Sequence, residues 1–293
     1  MNPKLIANSK CIIGEGPIWN PLDQMLYWCD IQNGTIFRLN SSNGTFEKFF
    51  ERNGFIGGFT IQRNGNLLLF MEHGKIAELQ NKKLNYIIDN IPGEENNRFN
   101  DVIADPKGRV LCGTMSKNTA NCNQNGTLYL LETDGSIKPI INKLSISNGM
   151  GFNLKGNLLY HTDSLEKTIY KYQYYVSNGT LKNRTIFVKT NNSKSLPDGM
   201  TIDKYDHIWS ANWDGSNLYR YSPNGEKILE INFPVKKVSS LTFGGSNYSD
   251  IFVTTATNGN SEAEEGKGAG GIFQINANIK GKTEYLSNIS LQK

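Results

Sequence analysis

The stretch "LYWCDIQNGTIFRL", from Leu26 to Leu39, decides the fold because the chain repeats its pattern. Beginning 133 residues later, "LYHTDSLEKTIYKY" has the same length and the same order of residue types. A third copy, "IWSANWDGSNLYRY", begins at Ile208. Each copy opens on apolar and aromatic residues, passes through a polar turn and ends in an alternating run. Three copies of equal length indicate a repeated structural unit.

Four segments that precede apolar strands of this kind also align without gaps. Each begins with an acidic or amide residue, continues as a short apolar strand and has Asn or Asp five positions later, where we expect a turn. They are "EGPIWNP" from Glu15, "NDVIADP" from Asn100, "NGMGFNL" from Asn148 and "DGMTIDK" from Asp198. Weaker copies start at Gly57 and Ser240. Six copies in 293 residues give about one per 49 residues, which matches the roughly 40–50 residues of a propeller repeat.

The residue pattern inside each copy has a period of two, and turn dipeptides such as those at 64–65 and 134–135 separate the alternating runs. Each copy therefore predicts a small antiparallel sheet. One such sheet cannot bury both of its faces, whereas six sheets stacked in a ring can. We predict an all-β fold, a six-bladed β-propeller, with residues 1–293 forming a single domain. We expect the run around Leu5 and Ile6 to pair with the last blade and close the ring.

Composition excludes several classes of function. There are 31 basic and 27 acidic residues, and no run of Lys or Arg is longer than a pair, so a basic patch for nucleic acid is not indicated. No apolar run approaches the roughly 18 residues of a membrane span, and the N-terminus lacks the apolar core of a signal peptide. We expect a cytoplasmic protein with no nucleic-acid, membrane or evident protein partner. The four cysteines show no Cys-x-x-Cys spacing, which predicts reduced thiols.

Two segments are predicted to be solvated. The Gly-rich stretch "NGNSEAEEGKGAGG", Asn258 to Gly271, indicates a mobile loop in blade six whose acidic side chains face water. The pair Lys236-Lys237 is most simply a solvated turn.

Residues of one phase are expected to meet at the channel mouth. The first strand of each blade lines the central channel, so residues just ahead of it converge on the axis. Glu15, Asn100, Asn148 and Asp198 hold this phase, which brings two carboxylates and two amide oxygens together. Hard oxygen donors of low total charge suit a divalent cation such as Ca²⁺, Mg²⁺ or Mn²⁺. The alternative is that the Asn-Gly and Asp-Gly pairs are only turns, but turns do not explain an oxygen donor four times in one phase.

The segments "GEGPIW", "NRFND", "GTLYLL", "SNGMGF", "HTDS", "PDGMTID" and "FGGS…VTTA" together resemble the regucalcin/gluconolactonase family of metal-dependent sugar lactonases. The resemblance covers nearly the whole chain and implies a six-bladed propeller with one divalent metal ion, which could be Ca, Zn, Mn, Mg or Fe. It places Glu15, Asn148 and Asp198 on the metal ligands. It places Arg98 and Asn100 of "NRFND" on positions that contact the sugar.

One position departs from the family pattern. Some members, the vertebrate regucalcins among them, carry a substrate-binding Glu shortly after "GTM". Here "GTMSKN" offers Asn118 at about that place. The preferred substrate is therefore less well defined by the resemblance than the reaction.

The predicted reaction is hydrolysis of an aldonolactone, such as glucono-, xylono- or arabinono-lactone, to the aldonic acid. The metal would polarise the lactone carbonyl, and Asp198 would act as the general base that activates a water, because it is a carboxylate placed where metal and substrate meet. Three alternatives stay open: a calcium-binding regulatory protein, an enzyme of the luciferin-regenerating type in the same family, and a non-catalytic propeller that binds partners.

Overall fold

The computed structural model of the protein describes residues 2–191 and 194–290. In this part of the chain, 24 strands form six four-stranded antiparallel sheets. The sheets are the blades of a six-bladed β-propeller, which confirms the predicted fold class. The described chain has no helix long and apolar enough to span a membrane.

The strands are numbered along the chain. Strand β1 is Lys4–Ala7. Blade one consists of β2 (Gly14–Asn20), β3 (Met25–Asp30), β4 (Thr35–Asn40) and β5 (Thr45–Glu51). Blade two consists of β6 (Ile56–Ile61), β7 (Leu67–Met71), β8 (Ile76–Gln80) and β9 (Lys83–Ile88). Blade three consists of β10 (Asn97–Ala104), β11 (Val110–Ser116), β12 (Gly126–Leu131) and β13 (Ile137–Leu144), with a 3₁₀ turn at Thr119–Asn121.

The second half of the ring follows the same plan. Blade four consists of β14 (Ser147–Phe152), β15 (Leu158–Asp163), β16 (Thr168–Tyr175) and β17 (Thr180–Lys189). Blade five consists of β18 (Leu196–Ile202), β19 (Ile208–Trp213), β20 (Asn217–Tyr221) and β21 (Lys227–Asn232). Blade six consists of β22 (Val238–Gly244), β23 (Asp250–Thr255), β24 (Ile272–Asn276) and the N-terminal β1.

The first strand of every blade lies at the centre of the ring. Strands β2, β6, β10, β14, β18 and β22 each contact the first strands of the two neighbouring blades, and β22 returns to β2. The copies that begin at Leu26 and Leu159 are the second and third strands of blades one and four, which face each other across the ring. The repeat in the sequence is therefore the blade itself.

The core is divided among the blade interfaces. Six buried apolar clusters are present in the described residues, one between each pair of adjacent blades. Phe70 of blade two meets Phe99 of blade three edge to face at 5.4 Å between ring centroids. Trp19 of blade one stacks on Phe252 of blade six at 5.8 Å. Because each sheet buries its faces only against its neighbours, the core is continuous only when the ring is closed.

The predicted turn residues stabilise the first hairpin of four blades. At Asp203, Oδ1 accepts hydrogen bonds from the backbone N–H groups of Tyr205 and His207, at 2.9 and 3.1 Å. Side-chain oxygens accept from backbone N–H groups in the same way at Asn20, Asp105 and Asn153. These residues therefore fix the hairpins on the face of the propeller opposite the predicted site, and the predicted turn positions are confirmed.

Two predictions of solvated segments are wrong. The Gly-rich segment contains a short helix, Glu262–Glu265, and Glu265 is buried. Lys237 is buried as well, because its ammonium is paired with Glu265 at 2.7 Å and with Asp214 at 2.8 Å. A buried Lys needs such partners, and they come from segments that are distant in sequence, so local composition gave no sign of them. The four cysteines are free thiols, as predicted.

A C-terminal segment, residues 279–290, closes the far end of the channel and was not predicted. It bonds to blade five through the Lys204 N–H and the Lys280 carbonyl at 3.0 Å, and to blade two through the Ser287 N–H and the Ile61 carbonyl at 2.9 Å. Between these points, Glu284 accepts a hydrogen bond from Thr201 Oγ1 at 3.1 Å. The segment therefore ties together blades that are not adjacent, and leaves a cavity of about 70 Å³ beneath it.

The N-terminal strand closes blade six, as predicted. Lys4, Leu5 and Ala7 pair with residues of β24 in antiparallel register. We expect deletion of residues 2–7 to expose the edge of β24 and to lower the melting temperature by about 5–10 °C, which corresponds to a loss of a few kcal/mol. Thermal unfolding followed by circular dichroism measures this. The control is Lys4→Ala, which removes an exposed side chain but keeps the backbone pairing; an unchanged melting temperature for the deletion would contradict this account of ring closure.

Candidate active site

An irregularity in each first strand directs side chains toward the channel mouth. The register with the second strand shifts between Glu15 and Ile18, and the corresponding shifts in the other blades lie at Ile56/Gly58, Phe99/Val102, Asn148/Met150, Pro197/Met200 and Val238/Ser240. Extra residues in a strand bend it and re-aim its side chains. The shared phase seen in the sequence is therefore a shared bulge.

In blade six the phase differs by one residue from the prediction. Leu241, which pairs with Val253, occupies the place that Met200, which pairs with Ser210, has in blade five. Asp198 lies two residues before Met200. The residue two before Leu241 is Ser239, so Ser239 and not Ser240 corresponds to Asp198. The Ser239 hydroxyl donates to the Gly14 carbonyl at 2.5 Å and joins blade six to blade one.

Five of the six predicted site residues lie together. A cavity of about 250 Å³ at the channel mouth is lined by Glu15, Arg98, Asn100, Asn148 and Asp198. All five are buried, although they come from blades one, three, four and five. The ring therefore assembles the polar group that the sequence phase predicted.

Asn118 is the predicted residue that does not line this cavity. It is exposed and caps the 3₁₀ turn, where its Oδ1 accepts a hydrogen bond from the Ala120 N–H at 3.1 Å. The cavity is lined instead by Thr119 and Met115 from the same segment. The side chain of Asn118 is occupied in holding the turn, so its contact with a substrate stays a prediction.

Two carboxylates, Glu15 and Asp198, share the cavity, and the pKa of each is raised. Burial, followed by repulsion from Asp198 and Asp101, raises the pKa of Glu15 well above its usual value. Burial raises the pKa of Asp198 as well, and its hydrogen bond from Asn148 only partly opposes this. Within the described residues neither carboxylate is paired with Lys or Arg. The positive charge of Arg98, which lines the same cavity, lowers the pKa of both acids but does not offset the effect of burial.

Asp101 is an acid at the channel that the sequence interpretation passed over, although it follows Asn100 directly. Burial raises its pKa to about 6. It lines the lower cavity, beneath the C-terminal segment, and Glu284 lines the same cavity. The negative charge of Asp101 raises the pKa of both Glu15 and Asp198, which lie in the cavity above it.

Asn148 is held by hydrogen bonds to residues of blades four and five. Its amide nitrogen donates to Asp198 Oδ1 and to Ser164 Oγ, the latter at 3.1 Å, while its Oδ1 accepts from the Gly149 N–H at 3.0 Å. Ser164 in turn donates to the Pro197 carbonyl at 2.8 Å. Ser164 thus fixes both Asn148 and the strand that carries Asp198, a role that sequence reasoning missed. A half-turn of the Asn148 amide would present its oxygen to the same position.

Arg98 keeps unused donors in the cavity. Its Nη1 donates to Asn100 Oδ1 at 2.7 Å and to the Phe99 carbonyl at 2.8 Å, and within the described chain Nε and Nη2 have no protein acceptor. Asn100 is held by donating its amide to the Ser147 carbonyl at 2.9 Å. Burial lowers the pKa of Arg98 to about 10, which leaves it cationic at neutral pH. The arrangement can bind oxygen atoms of a ligand.

Two glycines let the strands approach at the channel. A Cβ at Gly149 would lie 2.3 Å from the Asp198 carbonyl oxygen, and a Cβ at Gly57 would lie 1.9 Å from the Phe99 carbonyl oxygen. Since both contacts are with backbone, a side chain at either position would push neighbouring first strands apart. The Gly in "NGM" therefore sets the spacing between Asn148 and Asp198.

Much of the remaining cavity wall is apolar and was not predicted from the sequence. It includes Ile146, Leu165, Leu196 and Trp213, together with Asn258 from the Gly-rich segment. These residues lie in loops or at strand ends, and none of them holds the phase of Glu15, Asn100, Asn148 and Asp198. Their spacing along the chain therefore gave no signal.

The donor set fits a divalent cation. Glu15, Asp198 and the Asn148 amide offer hard oxygen ligands of the kind that Ca²⁺, Mg²⁺ and Mn²⁺ prefer. Within the described residues these two buried carboxylates form no ion pair, and a cation between them would stabilise both. Within residues 2–191 and 194–290 no group of three His, Cys, Asp or Glu side chains could hold a metal ion.

Comparison with known proteins gives a consistent result. The family described as the SMP-30/Gluconolactonase/LRE-like region matches residues 13–257. The chain is 36% identical to pentonolactonase XacC of Haloferax volcanii, with 98% of each chain covered. It is 31% identical to human regucalcin over 96% of each chain. The solved structure of a calcium-binding protein, regucalcin, from Agrobacterium tumefaciens superimposes with a TM-score of 0.89 at 21% identity, covering 98% of this chain and 97% of the other.

The raised pKa of Asp198 predicts an effect on stability. A carboxyl whose pKa is higher in the folded protein than in the unfolded chain binds more protons when folded, so the metal-free protein loses stability as pH rises above about 4 toward that raised pKa. We expect Asp198→Asn to raise the melting temperature of the metal-free protein at pH 7 and to flatten its pH dependence. Melting curves in chelator from pH 5 to 8 measure this.

Glu47→Gln, which changes an exposed carboxylate of β5, is the matched control. A melting temperature for Asp198→Asn that is lower than wild type at pH 7, with the control unchanged, would contradict the repulsion described here.

Proposed function

Because the chain belongs to the SMP-30/Gluconolactonase/LRE-like family, we propose that it is a sugar lactonase that uses a divalent cation to hydrolyse an aldonolactone to the aldonic acid. The observation that carries this is the meeting of Glu15, Asn148 and Asp198 in one cavity with the free donors of Arg98. The family and the lactonase named among its relatives support the reaction class. The chemistry of the side chains supports the role of the metal.

Glu15, Asn148 and Asp198 would hold the cation. When bound, a divalent cation polarises the lactone carbonyl and stabilises the negative charge that develops on its oxygen. Glu15 supplies one full charge, and its Oε2 is already oriented by the Gly16 N–H at 2.9 Å. Asn148 is neutral and adds an oxygen without adding to the repulsion between the acids. Calcium fits this set, and the choice among Ca, Zn, Mn, Mg and Fe is made by the add-back experiment below.

Asp198 is the proposed general base. It accepts a proton from the water whose oxygen forms a bond to the lactone carbonyl carbon. The ring C–O bond then breaks, and the same proton passes to the departing ring oxygen, so the product is an open-chain hydroxy acid. Only the ionised carboxylate can accept the proton. Because burial raises the pKa of Asp198, we infer that the rate rises with pH until this carboxyl is ionised.

Arg98 and Asn100 are proposed to orient the sugar. Arg98 remains charged at neutral pH, and two of its nitrogens have no acceptor among the described residues, which suits hydroxyl oxygens of the substrate. Asn100 holds the guanidinium in place and is itself anchored to blade four. Orientation of the ring fixes the carbonyl relative to Asp198, and such positioning contributes substantially to rate.

The experiment that tests the function uses purified protein and a panel of glucono-, xylono- and arabinono-lactones. Hydrolysis is followed by proton release, with the uncatalysed rate subtracted. We expect turnover that falls to background after chelation and returns with one of Ca²⁺, Mg²⁺, Mn²⁺, Zn²⁺ or Fe²⁺. Turnover that survives complete removal of metal would overturn the role of the cation. No turnover of any lactone by protein with an ion bound would overturn the lactonase assignment and favour a binding function.

The general-base role predicts a specific kinetic defect. Asp198→Asn keeps an oxygen ligand and the shape of the side chain, but cannot accept a proton. We expect kcat to fall by about 10²–10⁴-fold even when the ion is supplied at a concentration that saturates the variant. Metal analysis of the same sample distinguishes this from simple loss of the ion. Near-normal kcat at full metal occupancy would exclude Asp198 as the base, and Glu47→Gln again serves as the exposed control.

A further inference from the structure

We propose that Trp213 is a substrate-contacting residue whose indole packs against the C–H face of the sugar ring, and that Lys237 is its positioning residue. This inference rests on the proposed function, because it names how the same cavity selects its ligand. Neither residue holds the channel phase or belongs to the proposed metal donors.

Trp213 differs from the other tryptophans of the chain. Trp19, Trp28 and Trp209 are buried in the interfaces between blades. Trp213 ends β19, is only partly buried and lines the cavity that contains Asp198. Aromatic rings in ligand pockets provide flat apolar contact surface at low conformational cost. The position of Trp213 is therefore suited to contact with a ligand rather than with the core.

The cavity is lined by two chemically different kinds of residue. Glu15, Arg98 and Asp198 supply charge, whereas Leu165, Leu196 and Trp213 supply apolar surface. Leu165 borders the cavity and is 44% exposed, so this part of the apolar lining is open to solvent. An aldonolactone ring matches this division, because its carbonyl and hydroxyl oxygens project from the edge while its faces present C–H groups. A ligand with hydroxyls on all sides would leave polar groups unpaired against the indole.

Lys237 holds the indole in place. Its ammonium lies 5.6 Å from the centre of the Trp213 ring. Burial alone would lower the pKa of Lys237, but the hydrogen bonds to Asp214 and Glu265 outweigh burial, so the pKa is raised and the side chain is cationic. Cations are attracted to the face of an indole. A charge that is itself anchored to two carboxylates restricts the ring to one orientation.

The anchor of Lys237 comes from the Gly-rich segment. Glu265 accepts hydrogen bonds from Lys237 at 2.7 Å and from Asn260 Nδ2 at 2.7 Å. The same segment brings Asn258 to the cavity, where its backbone N–H donates to the Ile12 carbonyl at 2.8 Å. The segment between β23 and β24 thus supports one wall of the site, and its buried ion pair orients a cavity residue.

The experiment compares KM and kcat for a pentonolactone in metal-loaded protein. We expect Trp213→Ala to raise KM about tenfold or more with kcat largely retained, and Trp213→Phe to keep most of the affinity, because a contact of this kind contributes equally to the bound substrate and the transition state. Tyr205→Ala, which removes an exposed aromatic ring at the other end of the same hairpin, is the control. Unchanged KM in Trp213→Ala would overturn the proposal.

Lys237 is tested as a positioning residue by a matched pair of lysines. Lys237→Met should raise KM by about threefold or more without lowering kcat, and Lys237→Arg should restore it, whereas Lys236→Met changes the adjacent exposed lysine and should match wild type. A fall in kcat and melting temperature with KM unchanged would show a merely structural role and overturn this part.

A second measurement distinguishes failure of the proposed lactonase activity from failure of the proposed Trp213 contact. If wild-type protein turns over no lactone, the tryptophan fluorescence is titrated with D-xylonate as the probe. A saturable change that is lost in Trp213→Phe would support the contact without the reaction. No change in the wild-type protein would overturn it.

Discussion

The central constraint on the structure is that two buried carboxylates, Glu15 and Asp198, meet in one cavity at the channel mouth. Like charges in a low-dielectric site repel strongly, and burial removes the water that would screen them. Burial raises the pKa of both groups; repulsion from Asp198 and Asp101 raises that of Glu15 further, and repulsion from Asp101 raises that of Asp198. Such an arrangement opposes folding unless the acids are protonated or a cation lies between them. A fold that maintains it sacrifices stability at a place where positive charge can bind.

The propeller supplies the rigidity that this arrangement needs. Each carboxylate sits on a bulged first strand, and each first strand is fixed by apolar clusters on both faces of its blade. Gly149 allows the strands that carry Asn148 and Asp198 to approach closely enough for the Asn148 amide to donate a hydrogen bond to the Asp198 carboxylate. The N-terminal strand and the C-terminal segment then lock the ring from two sides. Repulsion at the centre is therefore opposed by packing around the whole circumference.

The blades, their turns and the meeting of the polar residues could be predicted, because the repeat and the position of each residue within it can be read directly from the sequence. The period of two and the Asn or Asp five residues after each first position identify strands and turns, and a shared phase in a closed ring becomes a shared location. Asp101, Ser164 and Trp213 were missed since they stand beside that phase rather than in it. The burial of Lys237 could not be predicted either, because its partner Glu265 lies 28 residues away in a segment whose composition suggests a mobile loop. The C-terminal segment lies outside the repeat, so its contacts, such as the hydrogen bond from the Ser287 N–H to the Ile61 carbonyl, cannot be predicted from periodicity.

The central claim is that Glu15 and Asp198 together form a cation site, and calorimetric titration of metal-free protein with Ca²⁺ and Mn²⁺ tests it most directly. The account predicts saturable binding of one ion per chain, weakened about tenfold or more when either carboxylate is neutralised in Glu15→Gln or Asp198→Asn, and unchanged in Glu47→Gln. Absence of saturable binding, or equal affinity in all four proteins, would contradict it.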